Sequence, residues 1–209
     1  ILRIAGPGIV QRGTPNLAMS LLMRLVSSYG AATLAAWVVA RRIFSVAQIP
    51  SMGLARVAPA MVGQNLGAGR PQRAERSVAL IMRVAVGTSV LILGGLALFA
   101  PQVMALFSED AASVSTGARM IRVLSLGYLA FAFNGVYDAA QAGAGDTVSP
   151  MAINLLALWI VQIPLAYLLS RALDLGADGI WFALVIGWFV QAALMFWRYR
   201  QGRWKRKQI

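Results

Sequence analysis

Residues able to support acid–base, nucleophilic or metal chemistry are scarce in this chain of 209 residues. Histidine and cysteine are both absent, which excludes disulfides, thiolate metal sites, a cysteine nucleophile and a histidine general base. The seven acids are Glu75, Glu109, Asp110, Asp138, Asp146, Asp174 and Asp178. We therefore expect no enzymatic active site, no metal centre and no bound cofactor.

One glycine-rich stretch, GQNLGAGRPQR at 63–73, interrupts apolar sequence and could suggest a phosphate-binding loop. A nucleotide-binding loop of that type requires Gly-x-x-x-x-Gly-Lys-Ser/Thr after a strand. Here Gly67-Ala68-Gly69 is followed by Arg70-Pro71, and the preceding sequence predicts a helix. The glycines therefore indicate a helix C-terminus and a tight turn.

The composition is that of an integral membrane protein. Hydrophobic residues make up 59% of the chain and charged residues only 12%, whereas soluble domains carry roughly 25% charged residues. A net charge of +12 could indicate nucleic-acid binding. The basic residues, however, punctuate apolar runs, and positive-inside topology accounts for most of the excess. We expect a lipid bilayer as the surroundings and no nucleic-acid partner.

Six transmembrane helices are predicted. Four apolar runs, at 84–108, 120–141, 147–170 and 179–197, are each long enough for a hydrocarbon core of about 30 Å. The first 62 residues predict two more helices, 5–27 and 32–62, the second kinked by Pro50 and Pro59. The expected architecture is an all-α lobe over 1–200 with a basic tail at 201–209.

Loop charges predict the orientation of these helices. Basic residues lie between the second and third helices and again after the sixth, whereas the loop SEDAAS at 108–113 has none. The positive-inside rule places the basic segments, including the C-terminus, in the cytoplasm. Trp197, Tyr199 and Trp204 beside the tail then indicate an interfacial anchor.

Asp138 is the acid expected inside a membrane helix, beside Tyr137 and one turn after Asn134. Such acids are costly and usually face a cavity or a partner. Three alternatives remain open: contact with a cation or cargo, solvation at headgroup level, or pairing with an arginine. The candidate arginines are Arg41, Arg42 and Arg56.

Other polar side chains in the predicted helices are candidates for cargo contact. Arg41 and Arg42 are about 100° apart on a helix, so we expect one to face a cavity and the other to snorkel. An arginine-lined cavity would suit anionic or zwitterionic cargo. Asn154 and Gln162 fall on one helical face and could line a path or could simply hydrogen-bond between helices.

Two short segments of the chain are similar to each other, and both resemble motifs of a known family. QNLGAGRP at 64–71 and QAGAGDTVSP at 141–150 both leave a helix through Gly-Ala-Gly and reach a proline. The longer stretch MVGQNLGAGRPQRAERS, at 61–77, resembles a loop signature of the multidrug and toxic compound extrusion family, and GAGDT at 143–147 resembles its second loop. The motif residues are Gly63, Gln64, Asn65, Gly67, Gly69, Arg70, Gly143, Gly145 and Asp146.

The resemblance implies a twelve-helix antiporter of two six-helix lobes, with this chain as the second. Its partner would be a missing N-terminal lobe of the same polypeptide, in the plasma (inner) membrane of a prokaryote. The cargo would be a small organic compound, often cationic, expelled with a proton or sodium gradient. Rival interpretations are a flippase for lipid-linked precursors of the same superfamily and a non-transporting membrane scaffold.

The sequence departs from one branch of that family at two coupling positions. The branch carries an acid in the first helix of this half, yet residues 11–16 contain none. It also carries an acid about three turns before the glycine of the second loop, where Phe131 stands here. Coupling through the first lobe therefore fits the resemblance better.

Overall fold

The computed structural model describes the backbone of residues 2–206 and the side chains of residues 14–204. Every regular element within that range is helical, which confirms the all-α prediction. The predicted basic tail, 201–209, lies partly outside the described residues. The side chains of the first predicted helix up to residue 13 also lie outside them.

Six helical spans follow one another, numbered here helix 1 to helix 6. They are Leu2–Ser27, then residues 31–67 in three segments, Pro71–Leu98, Ala111–Gly143, Val148–Ala172 and Gly176–Arg200. Helices 3 to 6 are each long and apolar enough to cross a membrane, and the bent helix 2 is a fifth candidate. Helix 1 has 26 residues, which at about 1.5 Å per residue gives a sixth helix of sufficient length.

Helices 3 and 4 are longer than the apolar runs that predicted them. Helix 3 begins at Pro71 rather than at 84, and helix 4 begins at Ala111 rather than at 120. Proline suits the first turn of a helix, and the Gln, Arg, Ala and Glu that follow it are good helix formers. Charged residues therefore shorten the part of each helix that can lie in the bilayer core, but they do not end the helix.

Helix 4 begins at a side-chain cap. The Asp110 carboxylate accepts hydrogen bonds from the Ser113 backbone N–H at 2.9 Å and from the Ser113 hydroxyl at 2.6 Å. Both satisfy groups at the start of the helix, where four backbone N–H groups lack helical partners. The hydroxyl bond first, and the backbone bond second, hold the pKa of Asp110 below its ordinary value.

Helix 2 is broken where the prolines predicted a kink. Its segments are Ala31–Ala47, Ile49–Ala55 and Ala58–Gly67, and the first lies at 47° to the remainder. Pro50 and Pro59 each lie in the first turn of a new segment, where a missing N–H leaves no helical bond unmade. The breaks let one span turn around helix 4.

Helix 5 widens on both sides of its proline. π-Helical turns at Ala157–Gln162 and Leu168–Ala172 flank the α-helical segment Ile163–Tyr167. Pro164, in that segment, cannot donate a backbone hydrogen bond, and such wide turns commonly occur where the helical ladder is interrupted. The first wide turn carries Gln162, one of the candidate residues.

Helix 4 packs against helices 2, 3 and 6 and joins two apolar cores. One core holds Trp37 and Trp181, stacked with ring centroids 5.0 Å apart. The other lies near the end of helix 6 and includes Tyr199 and Trp204, stacked at 4.9 Å. Trp204 was expected at the membrane interface, but it is buried and donates its indole N–H to the Tyr199 carbonyl. The chain folds back after helix 6, and this return buries the indole.

Candidate functional site

A cavity of about 420 Å³ lies among helices 1, 2, 4, 5 and 6. Its walls include Arg41 and Gln48 from helix 2, Tyr128 and Phe131 from helix 4, and Gln162 from helix 5. Arg41 is the one charged side chain among the described residues that line it. The cavity is thus largely apolar with a single cationic group and a few amides, a composition typical of small-molecule pockets.

Arg41 is held at the cavity wall by an indole ring and a thioether sulfur rather than by an acid. Its guanidinium lies 5.7 Å from the centroid of the Trp37 ring, and Nη1 lies 2.9 Å from the sulfur of Met19. A cation over an indole face is stabilised by the ring quadrupole. Arg42, its neighbour, lines a groove with Ile43 and Val46, and both arginines line a further pocket beside Trp37. Of the two, Arg41 is the one that lines the cavity among the five helices, and it leaves donors available to cargo.

Gln162 is buried at the contact between helices 5 and 6. It is 4% exposed, and its side chain fills the space that a Cβ at Gly187 would occupy. Glycine at position 187 therefore lets helix 6 approach closely enough for the amide to fit between the helices. This packing fixes where Gln162 enters the cavity wall.

A second polar cluster joins helices 4, 5 and 6 through Asp138, Asn154 and Gln191. Gln191 Nε2 donates to Asn154 Oδ1 at 2.5 Å, and the Asn154 side chain lies against the Asp138 carboxylate. All three side chains are half-buried. A carboxylate that faces a neutral amide retains lone pairs for a further ligand.

Asn134 and Tyr137 do not join this cluster. Asn134 is buried and donates its amide to the Trp188 carbonyl at 3.3 Å, while its Oδ1 has no partner among the described residues. Tyr137 packs instead on Tyr199, with ring centroids 4.7 Å apart. Adjacent helical residues differ by about 100° in direction, so Tyr137 and Asp138 face different neighbours.

The cavity and the carboxylate cluster lie along one polar face of helix 5. Leu158 and Gln162 line the cavity, and Asn154 lies one turn before Leu158 on the same face. On helix 6, Trp188 lines the cavity, and Gln191 follows one turn later. Sequence reasoning missed Gln191, although it is an amide inside the apolar run 179–197 and could have been noticed on that ground.

The described residues contain two ion pairs, and Asp138 belongs to neither of them. Arg119 pairs with Asp178, and Arg198 pairs with Asp146, each at 3.0 Å. The structure thus places Asp138 against Asn154, with Arg41 in the cavity wall on Trp37. Of the three alternatives for Asp138, pairing with Arg41, Arg42 or Arg56 is not seen among the described residues.

The two Gly-Ala-Gly motifs end their helices in the same way. Gly69 donates to the Leu66 carbonyl at 2.9 Å and Arg70 to the Asn65 carbonyl at 2.8 Å. In the second motif, Gly145 donates to Ala142 at 3.0 Å and Asp146 to Gln141 at 2.9 Å. Gly69 and Gly145 both have positive φ, 69° and 76°. Each motif is a Schellman cap, which confirms the predicted helix terminus and turn.

One expectation about these motifs needs correction. Gly63, Gln64, Asn65 and Gly67 were predicted in a loop, but helix 2 continues through Gly67. The Asn65 side chain donates to the Met61 carbonyl of its own helix at 2.7 Å. Only residues 68–70 form the connection, because the Schellman hydrogen bonds close within three residues.

The second motif also holds the helix ends together. A Cβ built at Gly143 would lie 2.5 Å from Pro59 Cα and 2.6 Å from the Pro59 carbonyl oxygen, so helices 2 and 4 meet backbone to backbone there. Asp146, 3% exposed, accepts from Arg198 at 3.0 Å and from the Ser149 hydroxyl at 3.0 Å. Arg198 also donates to the Ser149 hydroxyl at 2.8 Å. The GAGDT loop thereby connects helices 2, 4, 5 and 6.

Known proteins are similar to this chain in sequence and in fold. A sequence model of the MatE family matches residues 7–168. The chain is 25% identical to the "Probable multidrug resistance protein YoeA" of Bacillus subtilis (strain 168), over 100% of this chain and 45% of that protein. The chain therefore spans about half the length of the curated relatives it matches.

Two solved structures of MATE transporters of the MOP superfamily share the fold. An inward-facing one matches with a TM-score of 0.87 at 22% identity, over 100% of this chain and 49% of that one. An outward-facing one matches with the same TM-score at 24% identity, over 98% and 47%. Because the family model covers most of the sequence and the fold agrees, the chain belongs to the MATE family, whose members are transporters and not enzymes.

Proposed function

We propose that this chain is one six-helix lobe of a secondary efflux transporter that expels small organic compounds with a proton or sodium gradient. The observation that carries the proposal is the cavity among five helices with a carboxylate cluster directly beside it. Intramembrane carboxylates of this kind mark ion and proton paths in transporters. Relatives named as multidrug resistance proteins support the same activity.

The working unit would pair this lobe with a second six-helix lobe. Relatives about twice as long as this chain support such a partner. Rocking of two lobes about a binding site near the membrane midplane would expose the cavity to one side at a time. Relatives solved in inward-facing and outward-facing conformations are consistent with this motion. This chain with its second lobe is called the assembled transporter below.

The proposed orientation places both Schellman-capped loops in the cytoplasm. Arg70, Arg73 and Arg76 lie at the first loop, and Arg198, Arg200 and Arg203 lie at the end of helix 6. Positive-inside topology supports this placement. The domain assignment of 1–200 to the lobe and 201–209 to a basic cytoplasmic tail, in a plasma (inner) membrane, follows from the same argument.

A second candidate function is the flipping of lipid-linked precursors. One observation favours it: Arg41 is the single charged group among the described residues of the cavity wall. A guanidinium matches phosphate and carboxylate geometry, so this half of the site suits cargo that carries an anionic group. Cationic drugs would then need their acidic contact in the second lobe or at Asp138.

Replacing Asp138 by Asn tests the proposed site. We expect Asp138→Asn to slow gradient-driven efflux by the assembled transporter about ten- to hundredfold, because the carboxylate loses one charged interaction with a cation or with cargo. The yield of monodisperse protein should not change, because Asn154 can still hydrogen-bond the new amide. The efflux rate is measured in proteoliposomes, and the yield of monodisperse protein is measured in detergent.

Asp174→Asn is the matched control for this substitution. Asp174 is exposed in the loop before helix 6, and its φ of 53° suits Asn as well as Asp, so efflux and yield should both match the unmodified protein. Unchanged efflux in Asp138→Asn would place coupling and cargo contact entirely elsewhere. Reduced yield would instead show that Asp138 holds the helices together.

A further inference from the structure

Three aromatic rings form one side of the cavity of about 420 Å³ among the five helices. Tyr128 and Phe131 of helix 4 and Trp188 of helix 6 all line it. The Phe131 ring lies edge-on to both others, with its centroid 6.1 Å from Tyr128 and 5.9 Å from Trp188. The Tyr128 and Trp188 rings are tilted against each other at 4.8 Å. These three rings contact one another and are called the aromatic wall below.

Packing from behind holds the aromatic wall in place. Phe44 is fully buried and stacks on Tyr128, with ring centroids 4.1 Å apart. A Cβ at Gly127 would lie 2.6 Å from Cε3 of Trp188, so glycine at this position lets the indole lie directly against helix 4. Rings with two rotatable bonds, already held in this way, lose little conformational entropy when a ligand binds. The aromatic wall is therefore preformed for contact with a flat ring system.

The polar part of the same cavity is cationic. Arg41 lines it together with the amides Gln48 and Gln162, and it belongs to neither of the described ion pairs. Its contacts with the Trp37 ring and the Met19 sulfur leave most of its five N–H donors unused. A guanidinium that faces a cavity without a carboxylate partner attracts an anionic group and repels a cationic one.

We propose that this cavity selects flat aromatic compounds that carry a carboxylate. The ring system packs against the aromatic wall, and the carboxylate accepts hydrogen bonds from Arg41, whose planar fork matches two carboxylate oxygens. A cavity of this volume lies within the range of about 300–1,000 Å³ that small-molecule sites occupy. The inference rests on the proposed transport function, since it names the class of cargo for the same cavity.

The test is equilibrium binding to the assembled transporter in detergent, measured by isothermal titration calorimetry without an ion gradient. The probes are 2-naphthoate, 2-naphthylmethylammonium with the same rings and a positive charge, and decahydronaphthalene-2-carboxylate with the same anionic group but no flat ring. We expect 2-naphthoate to bind at least about tenfold more tightly than the ammonium probe, because like charges repel. It should bind about three- to tenfold more tightly than the saturated carboxylate, because only a flat ring stacks on the aromatic wall.

Two variants separate the contributions of charge and ring. Arg41→Gln should weaken binding of 2-naphthoate about ten- to hundredfold and remove its advantage over the ammonium probe. Phe131→Leu keeps an apolar side chain and should weaken binding of 2-naphthoate about three- to tenfold, while binding of the saturated carboxylate stays the same. Arg56→Gln removes an exposed arginine from helix 2 outside the cavity lining and should change neither affinity.

Two results would overturn this assignment. The first is binding of the ammonium probe as tight as that of 2-naphthoate, and the second is undiminished binding of 2-naphthoate in Arg41→Gln or Phe131→Leu. Arg41 and Phe131 are both exposed in this lobe, so neither substitution opens a gap in a buried core. A transporter that expels another compound but does not bind 2-naphthoate would refute the cargo class alone. One that binds 2-naphthoate but moves no compound would refute the transport proposal alone.

Discussion

Arg198→Gln should lower the free energy of unfolding of the assembled transporter by roughly 3–5 kcal/mol, the cost of breaking a buried ion pair. The Asp146 side chain is 4% exposed and the Arg198 side chain 19% exposed, so water cannot replace the lost guanidinium. Asp146 would retain the Ser149 hydroxyl as a neutral donor. The measurements are the thermal midpoint and the fraction of monodisperse protein in detergent.

Two further variants isolate the electrostatic cause. Arg203→Gln removes an exposed arginine shortly beyond the end of helix 6 and should change neither quantity. Asp146→Asn combined with Arg198→Gln removes both charges and should recover part of the lost stability, since neither member of the ion pair is then left charged. A double variant as unstable as Arg198→Gln alone would show that the loop depends on the arginine's packing rather than on its charge.

Gly143→Ala should disrupt the contact between helices 2 and 4. The added methyl would lie 2.5 Å from Pro59 Cα and 2.6 Å from the Pro59 carbonyl oxygen, and backbone atoms cannot swing aside as a flexible side chain can. Overpacking of this kind costs about 1–3 kcal/mol or more. It outweighs the gain of up to about 1 kcal/mol that alanine has over glycine in a helix. We expect a lower thermal midpoint and a marked loss of efflux.

The first Gly-Ala-Gly motif supplies the matched control for this substitution. Gly67 occupies the position in helix 2 that Gly143 occupies in helix 4, yet a Cβ at Gly67 meets nothing within 4 Å. Gly67→Ala should therefore be neutral or slightly stabilising, from helix propensity alone. Equal damage from both substitutions would mean that the helix ends need glycine for another reason, and the Pro59 contact would not explain the motif.

The sequence was sufficient to predict the helices, because the signals for them are local. Apolar runs gave six spans, Pro50 and Pro59 gave the breaks in helix 2, and Gly-Ala-Gly gave two helix ends. Helix boundaries were less accurate, since charged residues at 73–76 continue helix 3 outside the apolar region. The family resemblance, carried by residues 61–77 and 143–147, was confirmed by the match over residues 7–168.

The candidate site was less predictable because it depends on which helix faces approach one another. Asp138 was identified as a buried acid, but its partners could not be read from one helix. Asn154 reaches it, and Gln191 reaches Asn154, only because helices 5 and 6 pack beside helix 4. The packing of Tyr137 on Tyr199 and the burial of Trp204 likewise depend on tertiary contacts.

Transport driven by an imposed ion gradient tests the central claim most directly. The assembled transporter is reconstituted in proteoliposomes, and uptake of a fluorescent organic compound is followed after a proton or a sodium gradient is applied. We predict accumulation of the compound against its own gradient, abolished by an ionophore that collapses the driving gradient. Folded protein that moves no compound under either gradient would contradict the proposal that this chain is a lobe of a secondary efflux transporter.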